Sequence, residues 1–84
     1  MHLRNVTTIT PHTSPHGETV REVIGAAAGG GAQHSLAHIT LGPGAASLPH
    51  YHPVAEESYY ILAGRGLLTL DGEARALAPG DAAA

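Results

Sequence analysis

The stretch GAASLPHYHPVAEESYYILAG occupies residues 44–64 and decides how the rest of the chain is interpreted. His50 and His52 within it are two positions apart, so on a β-strand their side chains share one face. Their Cα atoms would lie roughly 6.5–7 Å apart, and two converging imidazoles reach one metal ion at bonds of about 2.0–2.1 Å for zinc. Glu57 follows after a gap that begins with Pro53 and is long enough to return a carboxylate to the same ion. Two imidazoles and a carboxylate suit a non-haem iron site, among others.

The composition limits the classes of protein to which the chain can belong. Its 84 residues suffice for one small domain, which is marginally stable without a metal or a second subunit. No cysteine is present, so any metal must be held by nitrogen and oxygen donors. The 4 basic residues, all arginine, and the formal net charge of −3 leave no basic surface for nucleic acid. No apolar run approaches the length of a transmembrane helix, so we expect a cytoplasmic protein without membrane contact.

Turn-forming residues recur at short intervals in the second half of the chain and predict an antiparallel all-β fold. Asp71-Gly72 is the strongest of these signals, because the pair is typical of a two-residue hairpin turn. Another turn is expected at residues 79–81, and Tyr59 is expected on the same strand face as Glu57. The strands expected between the turns cover residues 35–41, 46–52, 57–63, 67–70 and 73–78.

The first half of the chain is less clearly patterned. Residues 5–10 are rich in β-branched side chains and predict a short strand, whereas two prolines make residues 11–17 a loop. Residues 19–28 are ambiguous, because a capping box and a helical period of apolar positions compete with β-branched content and Gly25. Local pattern slightly favours a helix there, and the glycines at 29–31 end whatever element precedes them.

Five residues at fixed spacing resemble the first motif of the cupin superfamily, namely Gly44, His50, His52, Glu57 and Gly64. That motif reads Gly, five residues, His, one residue, His, three or four residues, Glu, six residues, Gly. The last spacing selects Glu57, because Glu56 would leave seven residues before Gly64. The resemblance covers residues 33–81 well, and it tips the ambiguous residues 19–25 toward a strand.

The resemblance implies an antiparallel cupin β-barrel, a jelly roll also described as a double-stranded β-helix. We expect one domain over residues 1–84, with N-terminal strands and loops in residues 1–32 and the core in residues 33–84. The second cupin motif begins with a glycine that matches Gly80 and ends with a fourth ligand histidine more than ten residues later. Since the sequence ends at Ala84, the barrel is expected to be incomplete at its C-terminus.

The resemblance also implies that His50, His52 and Glu57 hold a divalent transition metal ion, with Fe, Mn, Ni and Zn all compatible. Tyr59 and His38 are weaker candidates, as residues that line a pocket or act in proton transfer. Core packing of the Tyr59 ring and a hydrogen-bonded structural role for His38 are the alternatives.

Three classes of function stay open, because one fold hosts many chemistries. The first is a metal-dependent enzyme, such as a dioxygenase, isomerase or lyase, that acts on a small oxygenated molecule. The second is a non-catalytic small-molecule-binding or regulatory module, and the third is a non-functional truncated fragment. The expected partners are a small-molecule ligand or substrate and a second copy of the chain in a homodimer, with neither nucleic acid nor membrane.

Overall fold

The computed structural model describes residues 1–49 and 55–84, and within these ranges the chain forms short antiparallel strands. The metal-ligand candidates His50 and His52 lie outside the described residues. The chain divides into two compact units, Met1–Pro49 and His50–Ala84. The described elements in chain order are a 3₁₀ helix (Val6–Thr8), β1 (His12–Thr13), β2 (Glu18–Ile24), β3 (Leu36–Leu41), β4 (Tyr59–Tyr60), β5 (Gly66–Leu70), β6 (Glu73–Leu77) and β7 (Ala82–Ala83).

The first unit is built on a three-stranded sheet in which β2 lies between β1 and β3. Val20 of β2 pairs with His12 on one side, and Glu18 pairs with Leu41 on the other. The register of this pairing shifts between Glu22 and Ile24, near the end of the ladder. β3 pairs along most of β2, and β1 pairs with Thr19 and Val20, so backbone pairing favours the β-branched residues over the helical period. The strand expected from the resemblance is confirmed, and the helix favoured by local pattern is wrong.

The segment before β1 corrects the predicted strand over residues 5–10. Asn5 caps a 3₁₀ turn, since its side-chain oxygen accepts hydrogen bonds from the Thr7 backbone N–H at 2.9 Å and from Thr7 Oγ1 at 2.6 Å. A short polar side chain that bonds its own backbone competes with a strand ladder, and here the local bonds prevail over β propensity. The predicted loop over residues 11–17 is corrected in part, because His12 and Thr13 form β1.

The second unit contains the hairpin of β5 and β6, which pair antiparallel from Leu70 opposite Glu73 to Gly66 opposite Leu77. The two turn residues both have positive φ, 49° at Asp71 and 78° at Gly72. Positive φ at both central positions is the signature of a type I′ turn, whose twist matches that of the flanking strands. The hairpin expected from Asp71-Gly72 is therefore confirmed.

The strands expected on either side of the metal motif are absent or only partly formed among the described residues, and residues 50–52 of the first lie outside them. Residues 46–49 have no regular secondary structure, consistent with Pro49, which lacks the N–H that a ladder requires. Of the strand expected over residues 57–63, only Tyr59 and Tyr60 form a strand, β4, and they pair with Ala83 and Ala82 of β7.

Apolar side chains remain accessible throughout the described residues, where no hydrophobic residue is buried. Leu67 is 71% exposed and Leu36 58% exposed, although both lie on strands. Backbone ladders and turns therefore carry much of the order within each unit. The all-β antiparallel class is confirmed, whereas the single domain over residues 1–84 stays a prediction.

Candidate metal centre

Glu57 is the metal-ligand candidate that lies within the described residues. It is exposed and stands two residues before β4. Its Oε2 atom accepts a hydrogen bond from the Tyr59 hydroxyl at 3.1 Å. This contact agrees with the expectation that the two side chains lie on the same side of the chain.

Tyr59 is positioned by β4, where it pairs with Ala83 and is half-buried. Tyr60 follows on the opposite face of the strand, where it is 65% exposed. The alternation of a two-residue strand thus directs one phenol toward Glu57 and the other toward solvent. Backbone pairing with Ala83 holds the strand that carries the Tyr59 ring.

A turn at residues 78–81 holds β4 against β7. Gly80 N–H donates to the Ile61 carbonyl at 2.8 Å, and Ile61 N–H donates to the Asp81 carbonyl at 2.9 Å. The turn is closed twice, by Asp81 N–H donating to the Ala78 carbonyl at 3.0 Å and by Ala78 N–H donating to Asp81 Oδ2 at 2.7 Å. Proline at the second position and glycine with a φ of 92° at the third identify a type II turn.

Asp81 was not singled out as a site residue by the sequence pattern, yet its carboxylate closes the turn that holds the Tyr59 strand. The predicted turn at 79–81 was the available signal. An Asp beside such a turn commonly bonds nearby backbone N–H groups. The sequence pattern does not reveal which segment this turn packs against, because its contacts to Ile61 join residues about twenty positions apart.

His38 lies in β3 of the first unit and is half-buried opposite Arg21. Its Nδ1 atom is buried and has no hydrogen-bond partner among the described residues. The hydrogen-bonded structural role considered for this histidine therefore finds no partner for Nδ1 in the part of the chain that the structure describes.

Of the three ligands expected from the sequence, Glu57 lies within the described residues, and His50 and His52 lie outside them. Residues 1–49 and 55–84 contain no group of three or more His, Cys, Asp or Glu side chains that could hold a metal ion. The exposed Glu56, the neighbouring carboxylate, makes no hydrogen bond with any described residue. The assignment of His50, His52 and Glu57 as ligands stays a prediction.

Open cavities are present among the described residues of both units. The cavity of the first unit, of about 420 Å³, is lined by Arg4, His12 and Glu22, among others. The cavity of the second unit, of about 480 Å³, is lined by Leu68, Leu70, Leu77 and Arg75, together with residues near Ala84. Neither cavity was anticipated from the sequence pattern, because each depends on which strand faces pair.

Comparison with known proteins gives a family match over the second half of the chain. The sequence model described as "Cupin domain" matches residues 37–84. The chain is also 40% identical over 73 residues to the uncharacterized protein MJ1618 of Methanocaldococcus jannaschii, an alignment that covers 87% of this chain and 58% of that protein. The chain thus spans little more than half the length of this relative. No solved structure matches, and no helix among the described residues is long and apolar enough to cross a membrane.

Proposed function

The chain belongs to the cupin superfamily, and we propose that it binds a divalent transition metal ion through His50, His52 and Glu57. The observation that carries the proposal is the hydrogen bond of 3.1 Å from the Tyr59 hydroxyl to Glu57 Oε2. Carboxylate ligands of metal ions are commonly held by such a second hydrogen-bonded group. Glu56 has no comparable contact with a described residue, which supports Glu57 as the ligand of the pair.

The donor set fits a first-row transition metal. Neutral imidazole suits Fe, Ni and Zn, and carboxylate oxygen suits Mn as well, so these four ions are the candidates. The chain has no cysteine, and thiolate coordination is thereby excluded. The negative charge of Glu57 offsets one positive charge of the ion. A bound ion of this kind polarises an oxygen of a small molecule or activates a bound water.

The proposal is tested by metal uptake. The purified, metal-free protein is incubated with Mn, Fe, Ni or Zn, and bound metal is measured for the wild type and for His52→Ala, Glu57→Gln and Glu56→Gln. We expect loss of uptake for His52→Ala, weaker but measurable uptake for Glu57→Gln, which keeps both imidazoles, and wild-type uptake for Glu56→Gln. Negligible uptake by the wild type, or equal uptake by all four proteins, refutes the proposal.

A second candidate function, a non-catalytic small-molecule-binding module, is favoured by the cavity of about 480 Å³ in the second unit. Its size lies within the range of about 300–1,000 Å³ that is usual for small-molecule sites. The hairpin register places Leu68 opposite Arg75, and Leu70 lies on the same face as Leu68. One side of the cavity is therefore lined by these leucines and by Arg75, which forms an ion pair with Glu73. This arrangement suits a small neutral molecule with an apolar group.

Benzyl alcohol is a suitable probe for this cavity, with methyl chemical shifts as the readout. We expect shifts at Leu68 and Leu70, whose side chains line the cavity, and none at Leu67, which lies on the opposite face of β5. Equal shifts at Leu67 and Leu68, or no shift at either residue, contradict the binding-module function. The homodimer expected from the sequence stays a prediction.

A further inference from the structure

We infer that Tyr59 is a positioning residue for the metal ligand Glu57, acting through its phenol hydroxyl. The inference rests on the proposed metal-binding function and deepens it. Its basis is the contact between Tyr59 Oη and Glu57 Oε2 at 3.1 Å, together with the contrast between a half-buried ring and an exposed carboxylate.

An exposed glutamate has three side-chain torsions and samples many orientations in water. The ionised carboxylate only accepts hydrogen bonds, whereas a phenol hydroxyl can donate one, so the direction of this contact is fixed by chemistry. The hydroxyl restricts the carboxylate to orientations in which Oε2 faces the Tyr59 ring. A ligand that is oriented before the ion arrives loses less conformational freedom when the ion binds.

The strand that carries the donor Tyr59 is held in place by backbone hydrogen bonds. Tyr59 is paired with Ala83, and the adjoining residue Ile61 exchanges hydrogen bonds with Gly80 and Asp81 at 2.8 and 2.9 Å. The phenol is therefore carried by a strand that is tied at both residues of β4 and again beyond it. A donor on a rigid element restricts its acceptor more effectively than a donor on a loop.

Tyr60 provides a matched control within the same strand. It has the same side chain and pairs with Ala82 of the same partner strand, but it lies on the opposite face and is 65% exposed. Replacing either tyrosine by phenylalanine removes one oxygen and keeps the ring. Any effect confined to Tyr59→Phe is then attributable to the hydroxyl that faces Glu57.

The first measurement is zinc affinity by calorimetry for the wild type, Tyr59→Phe and Tyr60→Phe. Loss of a group that orients a metal ligand typically weakens metal binding by about 10- to 100-fold. We expect that range for Tyr59→Phe and wild-type affinity for Tyr60→Phe. Far-ultraviolet circular dichroism, compared for all three proteins, verifies that the strands are retained.

The second measurement separates positioning from a general structural role. In a double-mutant cycle, Tyr59→Phe is introduced into the Glu57→Gln background and nickel affinity is measured, because imidazoles alone bind this ion. A positioning residue has a much smaller effect once Glu57 is replaced, whereas a structural residue weakens binding equally in both backgrounds. The chain has no tryptophan, so its near-ultraviolet absorbance also reports on tyrosine alone. Zinc should change this spectrum in the wild type and in Tyr60→Phe, and change it less in Tyr59→Phe.

The outcomes distinguish the inference from the proposed function. If the wild type binds zinc and Tyr59→Phe binds it equally well, the inference is wrong and the metal-binding function stands. Equal losses in both backgrounds of the cycle also overturn the inference. If the wild type binds no metal, the proposed function fails and the inference fails with it.

Discussion

Gly80→Ala is the substitution that most directly tests how the strand carrying Tyr59 is held. Gly80 has a φ of 92° at the third position of the turn, and its N–H donates to the Ile61 carbonyl at 2.8 Å. A Cβ atom added there meets no described atom within 4 Å, so no side-chain clash contributes to the cost. The remaining cost is that of a left-handed backbone conformation with a side chain, about 1–2 kcal/mol.

The assay is amide hydrogen exchange at Ile61, whose N–H donates to the Asp81 carbonyl across the same contact. If this contact opens locally, a cost of about 1–2 kcal/mol corresponds to exchange that is roughly 5- to 30-fold faster. Amides of the hairpin of β5 and β6 should exchange at wild-type rates, because the substitution does not touch that ladder. Urea unfolding is the complementary global measurement.

Gly66→Ala is the matched control for this substitution. Gly66 lies in β5 without positive φ, and an added Cβ there also meets no described atom within 4 Å. Alanine restricts the unfolded chain and is compatible with a strand, so we expect stabilisation of about 0.4–1 kcal/mol. Wild-type exchange at Ile61 in Gly80→Ala, or equal destabilisation by both substitutions, would refute the conformational argument for the turn.

Substitutions at three further positions test the second unit. Asp71→Val should lower the free energy of unfolding by about 1–2 kcal/mol in urea titrations, because a β-branched residue replaces Asp at a φ of 49°, whereas Asp71→Asn should have little effect. Asp81→Ala should cost about 0.5–1.5 kcal/mol through loss of the acceptor for Ala78 N–H, and Asp81→Asn, which keeps an oxygen, should cost less; equal costs would contradict this role. Arg75→Ala should cost no more than about 1 kcal/mol, with the difference from wild type shrinking in high salt, because its ion pair with Glu73 is solvent-exposed at 76% and 62%; a large, salt-independent loss would show that packing dominates.

Local chemistry explains which parts of the fold were predictable from the sequence. The hairpin at Asp71-Gly72 needs only two residues that tolerate positive φ, and both are adjacent in the chain. The segment that became β2 carries conflicting signals, and the outcome depends on pairing with β1 and β3. Because those contacts join distant residues, the residue pattern alone favoured the wrong element, and the family resemblance was needed to choose the strand.

The incorrect and the missing predictions also concern interactions that side-chain patterns do not reveal. The strand predicted over residues 5–10 rested on side-chain propensity. In the structure, the side-chain oxygen of Asn5 instead accepts a hydrogen bond from the backbone N–H of Thr7. The spacing of the cupin motif selected Glu57 as a ligand candidate and strand alternation predicted Tyr59 on the same face, but neither predicted their hydrogen bond. The role of Asp81 also depends on which strand its turn packs against, and that pairing with Ile61 is non-local.

The proposal implies that metal binding and the stability of the β4–β7 ladder are thermodynamically linked. Under the proposal, an ion bound to Glu57 favours conformations in which Tyr59 is in place, and Tyr59 is in place only while β4 is paired. Linkage is reciprocal, so metal should slow exchange at Ile61, and Gly80→Ala should weaken metal binding. The weakening cannot exceed the cost of the turn, about 1–2 kcal/mol or roughly 5- to 30-fold, because the substitution touches no ligand. A larger loss of affinity would mean that residue 80 acts on the metal by a route other than the Tyr59 strand.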